Sequence, residues 1–239
     1  MLTNAEIKQI RSLREKKFRD AMGLFVVEGE KMVREALESS FEVVRVCRVE
    51  EEGEKAMEKM SQFSTPSPVL AVVRKPALEW AGTNIPAGLS LALDSVRDPG
   101  NMGTIIRTAD WFGVGMVFAS PDSVDIFNPK VIQSTMGAVF RCRFVQADIP
   151  ATCRRFREAG LPVYGTFLDG TDIYSEKLQD RGLIVMGNES NGISDATATE
   201  VSHRLLIPKA ESSRAESLNV AVATAVTLSI FKATAGSRR

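Results

Sequence analysis

Apolar residues along the 239-residue chain fall into short blocks separated by amphipathic or polar stretches. In the first third, LFVVE (24–28), VVRVC (43–47) and VLAVV (69–73) are β-branched runs of strand length. Between them, 29–39 has helical spacing and EEEGEKAMEKM (50–60) is an acidic, helix-like stretch. Residues 4–20 read as one helix, with Ile7, Ile10 and Leu13 spaced by three to make an apolar stripe. Residues 1–75 therefore form a small α/β unit. Residues 76–88 hold two prolines and two glycines and little periodicity, the composition of a linker.

From 89 onward the pattern alternates. Strands are expected at 89–93, 115–119, 163–167, 183–186 and 205–207, and helices at 101–112, 129–136, 151–159 and 217–232. Such alternation predicts a mostly parallel sheet with helices on both faces, so 89–239 is a second α/β domain. The final helix is apolar on nearly every side, through Leu218, Val220, Val222, Val226, Leu228, Ile230 and Phe231. A helix of that kind in a soluble chain is buried twice, in the core and against a second copy, or else lies centrally in a monomer.

Composition narrows the chemistry. Thirty basic and thirty acidic residues give zero formal charge, which excludes a general polycation but not a local basic face. No run of 18 apolar residues is present and the start, MLTNAEIKQIRSLREKK, lacks an apolar export segment, so a cytoplasmic protein with no membrane partner is expected. Cys47, Cys142 and Cys153 are odd in number and form no C-x-x-C pair, which points to reduced thiols without a zinc ribbon. His203 is the single histidine, beside an apolar strand-like run, and reads as a structural or surface residue. Histidine-rich metal sites and His-based triads thus fall away, and no metal is expected.

Three polar segments stand at strand ends, where open parallel sheets place ligands. In LALDSVRDPGNMGTIIRTADWFG (91–113), Pro99-Gly100 makes a turn, Asn101 is a competent N-cap, and Arg107 lies on the following helix, within reach of Asp110. GLIVMGNESNGIS (182–194) resembles a phosphate loop but has Ile193 at the lysine position, and Glu189 is its one carboxylate. In LLIPKAESSRAESLNVAVATAVTLSIF (205–231), a polar loop leads to Ser217, a natural N-cap.

Together DPGNMGTIIRTADWFG, IVMGNESNGIS and IP…ESLNVAVA closely resemble, in order, the three motifs of the SpoU (TrmH-like) RNA 2′-O-ribose methyltransferases of the SPOUT superfamily. DIFNPKVIQSTMGAVFR (125–141) is a further match, and residues 4–73 resemble the substrate-binding domain that often precedes this catalytic domain. The resemblance implies a deep trefoil knot, S-adenosylmethionine (AdoMet) as cofactor and a homodimer. It implies Met186, Gly187, Asn188, Ile207 and Leu218 around the cofactor. It gives Arg107 the central role at phosphate and 2′-oxygen, with Asn101 orienting loop or RNA. Glu189 would hold Arg107 or a partner group, and Ser217 and Asn219 would shape the third loop. The implied substrate is structured RNA, ribosomal before transfer RNA. A non-catalytic RNA-binding or ribosome-assembly protein on the same fold is the alternative.

The third motif departs from the family in its longer charged loop, KAESSRAE from Lys209. RNA contacts would come from local basic clusters. One is Lys8, Arg11, Arg14, Lys16, Lys17 and Arg19; the other runs from Arg141 through Arg143, Arg154, Arg155 and Arg157.

Overall fold

The computed structural model describes residues 1–77, 80 and 84–236, and the chain divides into two compact units, 1–77 with 125–141 and 78–124 with 142–239. Of the expected linker, residues 78, 79 and 81–83 lie outside the described residues. In chain order the elements begin with α1 (Asn4–Ser12), α2 (Lys16–Met22), β1 (Leu24–Glu28), α3 (Glu30–Glu38) and β2 (Val43–Arg48). Then come α4 (Val49–Glu52), α5 (Glu54–Met60), β3 (Val69–Arg74), β4 (Leu89–Leu93), α6 (Pro99–Phe112) and β5 (Met116–Ala119). The chain continues with α7 (Pro129–Thr135), a 3-10 turn (Ala138–Phe140), β6 (Phe144–Gln146), α8 (Ile149–Glu158) and β7 (Val163–Asp172). It closes with β8 (Gly182–Met186), α9 (Asp195–Ala198), β9 (His203–Leu206) and α10 (Val220–Gly236).

In the first unit, β3 runs antiparallel between β1 and β2, with Val26 opposite Val72 and Cys47 opposite Leu70. The expected single helix over 4–20 is two. A capping box starts α1: Thr3 accepts from the Glu6 N–H and Glu6 accepts from the Thr3 N–H. The break after Ser12 buries Leu13. Arg19, expected among the RNA-facing bases, is only 2% exposed. Its Nε and Nη2 donate to Asp125 Oδ2 at 3.0 and 2.7 Å, and its Nη1 to the carbonyls of Leu13 and Arg14 at 2.9 and 2.8 Å. An arginine so placed is a structural post, not a nucleic-acid contact. The 125–141 segment is fastened to this unit as well by aromatic packing, with Phe127 4.7 Å from Phe25 and Phe140 5.2 Å from Phe41.

The second unit carries a six-stranded sheet, all parallel, in the order β6-β5-β4-β8-β7-β9. The three-residue edge strand β6 is not legible in the sequence; FVQ is too short to carry a period. The chain runs outward from β4 through β5 to β6, then crosses to β7 and returns to insert β8 between β4 and β7. The loops that follow β4 and β8 therefore leave the sheet side by side, at the point where the winding direction reverses. Phe118, Phe156, Val163 and Val185 lie in the core beneath.

Helix α10 packs on α6, and it is not buried all round. Val220, Thr224, Thr227, Leu228 and Phe231 face inward, while Val222 is 49% exposed and Val226 and Ile230 are only partly covered. No helix among the described residues is long and apolar enough to cross a membrane.

Candidate active site

The loops after β4 and β8 and the segment before α10 are joined by side-chain hydrogen bonds. Asp94, which ends the buried run of β4, is 6% exposed and accepts from Ser194 N–H at 2.9 Å and Ser194 Oγ at 2.7 Å. Its own N–H donates to the Met186 carbonyl at 2.9 Å, continuing the β4–β8 ladder into the loops. One residue on, Asn188 Nδ2 donates to the Ser95 carbonyl at 2.7 Å, while Asn188 Oδ1 accepts from the N–H groups of Ser190 and Asn191. Asn188 thus folds its own turn and staples it to the first loop.

Gly187 has a physical reason to be glycine. A Cβ there would stand 2.2 Å from the Gly192 carbonyl carbon and 2.3 Å from the Ile193 nitrogen, so the loop 187–193 closes on itself only without a side chain. Met186 and Gly187 are buried, Ile207 is partly covered, and Leu218 is 50% exposed.

Glu189 gathers the first motif. Its Oε1 accepts from the Asp98 N–H at 3.0 Å and from Asn101 Nδ2 at 3.1 Å, and its Oε2 from the Arg97 N–H at 3.3 Å. Burial opposes its ionisation, yet these donors, led by the Asp98 N–H and the Asn101 amide, hold its carboxyl below the ordinary glutamate value. Asn101 is not the N-cap of α6. Asp98 is, accepting from the Asn101 N–H at 2.8 Å, and Pro99 fills the first helical position. The Asn101 side chain is thereby free to bridge: Oδ1 accepts from Asn219 Nδ2 at 2.8 Å. Asn219 in turn caps α10, its Oδ1 accepting from the N–H groups of Ala221 and Val222. The cap expected from Ser217 is supplied two residues later, and Ser217 itself is exposed.

Arg107 projects, exposed, from α6. Of the two partners expected for Glu189, Arg107 or a partner group, Arg107 is not bound: within the chain Glu189 spends its acceptors on the first loop and Asn101. Among the described residues Arg107 has no hydrogen-bond or ion-pair partner, which leaves its guanidinium available to an anion. His203 lies on β9 with Nδ1 2.8 Å from Ser202 Oγ and its ring 5.0 Å from that of Tyr164, a packed position. Burial pushes the Cys153 thiol up to about 12, and burial likewise raises Cys47 to about 11, so neither is a thiolate nucleophile at neutral pH. Among the described residues no cluster of His, Cys, Asp and Glu could hold a metal ion.

The remaining basic residues differ in availability. Lys8 and Arg11 are exposed on α1. Arg14 donates to the Ser61 carbonyl at 2.7 Å, Lys16 pairs with Asp20 at 2.5 Å and Lys17 with Glu15 at 2.9 Å. Arg141 pairs with Glu35, and Arg154 and Arg157 share Glu200. Sequence reasoning missed Asp94, Ser95 and Ser194; the one signal for them is an acid placed directly after the apolar run Leu91–Leu93.

An all-parallel sheet with its polar loops fastened at the winding reversal defines an open α/β ligand-binding domain, and solved structures place it among the SpoU/SPOUT methyltransferases. The chain superposes on a TrmH-family protein from Porphyromonas gingivalis with a TM-score of 0.86 and 38% identity, covering 97% of this chain and 98% of that one. It superposes on the AdoMet-bound rRNA methyltransferase from Sinorhizobium meliloti with a TM-score of 0.87 and 30% identity, covering 98% and 96%. Residues 88–229 match the SpoU rRNA methylase family and residues 4–89 the MRM3-like substrate binding domain. The 23S rRNA (guanosine(2553)-2′-O)-methyltransferase RlmP of Bacillus subtilis is 32% identical, over 93% of this chain and 94% of its own length. The chain belongs to the SpoU rRNA methylase family.

Proposed function

We propose that this protein transfers a methyl group from AdoMet to a ribose 2′-hydroxyl of structured RNA, ribosomal RNA before transfer RNA. The observation that carries the reading is the Glu189–Asn101–Asn219 chain of hydrogen bonds, with Arg107, unpartnered among the described residues, on the same helix as Asn101. The S. meliloti relative holds AdoMet, and the B. subtilis relative is a 23S rRNA 2′-O-methyltransferase.

The donor set fits AdoMet. Ile207 and Leu218 offer apolar surface, and Met186, Gly187 and Asn188 bring loop backbone beside it, a combination suited to an adenine ring. When bound, AdoMet supplies an electrophilic sulfonium methyl. This chain's residues supply alignment and charge. A guanidinium is a poor proton acceptor, so Arg107 anchors a phosphate and stabilises negative charge developing on the 2′-oxygen. Glu189 stays ionised and keeps Asn101 and the first loop in place, while Ser217 and Asn219 shape the third loop. Holding acceptor and donor in line is worth several kcal/mol of the barrier.

In this reading residues 1–75 bind RNA together with Arg141: Lys8 and Arg11 are unpaired among the described residues, and Lys16, Lys17, Arg14 and Arg141 are able to exchange their present partners for phosphate. Residues 76–88 link them to a methyltransferase domain over 89–239, carrying the trefoil knot of its class. The enzyme works in the cytoplasm as a homodimer. Support for the dimer comes from the open apolar face of α10 at Val222, Val226 and Ile230.

Calorimetric titration of AdoMet into the full chain tests the cofactor assignment. Wild type is expected to bind and Gly187→Ala to lose binding, because the new methyl would force apart the 187–193 loop. Failure of wild type to bind, with and without ribosomal RNA, would overturn the proposal.

A further inference from the structure

Arg97 lies at the mouth of the candidate site and belongs to none of the roles above. Its backbone is held on one side by Glu189, which accepts its N–H at 3.3 Å. On the other side is Ser95, a non-glycine residue in the left-handed region with φ of 63°. Such a conformation persists where the surroundings over-determine it. Here three segments do so: the Ser95 N–H donates to Ser120 Oγ at 2.8 Å, Ser95 Oγ donates to Asp122 Oδ2 at 2.5 Å, and the Ser95 carbonyl accepts from Asn188 at 2.7 Å. The turn that aims Arg97 is therefore rigid.

Its guanidinium is loosely held by contrast. The Arg97 side chain is 67% exposed, and its nearest partner is Asp122 Oδ2 at 3.4 Å, an oxygen already taken by Ser95. Hydrogen bonds from Ser120 and Ser95 hold the Asp122 carboxyl down at about 2, so that carboxylate is charged without Arg97. An exposed pair of this length and geometry is weak, and a phosphate offering two oxygens to a planar guanidinium competes with it readily.

We propose that Arg97 is a second RNA-anchoring guanidinium of the site, one that exchanges Asp122 for a phosphate of the bound RNA when substrate docks. The proposal rests on the methyltransferase reading for its choice of RNA as ligand. Arg97 acts on substrate position rather than on the 2′-oxygen. Asp122 is the competitor that the phosphate displaces.

Binding of full-length protein to 23S rRNA transcribed in vitro, measured across a salt series, tests this, with AdoMet calorimetry on the same samples. Arg97→Gln is expected to weaken RNA binding several-fold at low salt and to reduce the slope of log K against log salt by about 1. Asp122→Asn is expected to strengthen RNA binding, and Arg97→Gln in that background to cancel the gain. AdoMet affinity should stay at the wild-type level in Arg97→Gln. An unchanged RNA affinity and slope in Arg97→Gln overturns the proposal. So does a loss of AdoMet affinity with RNA binding intact, which would make Arg97 a contact of the AdoMet carboxylate. If Arg97 sets the salt slope but the wild-type protein transfers no methyl group to the transcript, the anchoring role stands and the enzyme reading fails.

Discussion

Asn219 holds Asn101 across 118 positions of sequence, Nδ2 donating to Oδ1 at 2.8 Å, and Asn101 passes the constraint to Glu189 at 3.1 Å. An asparagine amide has one acceptor and one donor end, and both are committed here. The start of α10, the start of α6 and the loop after β8 are thereby fixed relative to one another by a single side chain.

Replacing that side chain should cost catalysis more than folding. Asn101→Ala removes a hydrogen bond to an ionised carboxylate, worth about 1.5–3 kcal/mol, so methyl transfer should slow by about 10- to 100-fold. Asn219→Ala loses the neutral bond to Asn101 and should slow transfer by less than about 10-fold, and it also loses the cap of α10, about 0.5–2 kcal/mol of stability. Single-turnover rates with saturating AdoMet measure both. Equal rates in Asn101→Ala and wild type would remove the bridge from the mechanism.

The pH dependence of stability has a definite sign. Glu189 and Asp122 both have folded-state pKa values below their ordinary ones, Asp122 moving from 3.8 to about 2. Each contributes stability above its ordinary value, and the contribution disappears as pH falls through the folded value. Denaturant midpoints of wild type and Glu189→Gln should therefore differ most near pH 7 and converge as acid titrates the carboxylate. Glu28 runs the other way, its carboxyl raised by burial, so its share of stability is greatest in acid and declines as pH rises through that raised value. A gap between wild type and Glu189→Gln that is constant with pH would contradict the assignment.

Arg19 and Arg11 look alike in sequence and should behave oppositely. Arg19→Met breaks a buried ion pair with Asp125 and should destabilise the protein by about 3–5 kcal/mol in urea denaturation. Lys8→Glu with Arg11→Glu, both on exposed positions, should leave the unfolding free energy within about 0.5 kcal/mol of wild type and weaken RNA binding with a shallower salt slope. Equal effects of the two changes on stability would contradict this division of labour.

That contrast marks how far the sequence could be read. Strands with a clear apolar run, such as 24–28, 69–73 and 183–186, are legible because burial dictates composition, and the three motif segments are legible because their residue types are unusual in loops. Which oxygen faces which nitrogen is not. A six-in-twelve basic stretch looks uniformly solvated until a helix break at 13–15 turns Arg19 inward, and its partner Asp125 is 106 positions away. Asn101 and Ser217 both read as helix caps, yet Asp98 and Asn219 do the capping, because cap preference is shared by Asp, Asn and Ser and only the backbone decides among neighbours. Glu189 reads as the holder of Arg107 or of a partner group, and within its own chain it holds Asn101, since pairing across separate loops has no periodicity to reveal it.

The open face of α10 predicts self-association. Val222→Glu places a charge among Val222, Val226 and Ile230, the part of the helix that its own chain leaves uncovered. Sedimentation at micromolar concentration should show a dimer for wild type and a monomer for the variant. A wild-type monomer would contradict the proposed homodimer.

The central claim is methyl transfer to a ribose 2′-oxygen, and one experiment reaches it most directly. Purified full-length protein is incubated with ribosomal RNA and AdoMet labelled in its methyl group, and the RNA is then digested to nucleosides and analysed by mass spectrometry. The account predicts label in a 2′-O-methylnucleoside, abolished by Arg107→Ala. Label on a nucleobase, or no transfer by a protein that binds both AdoMet and RNA, would contradict it.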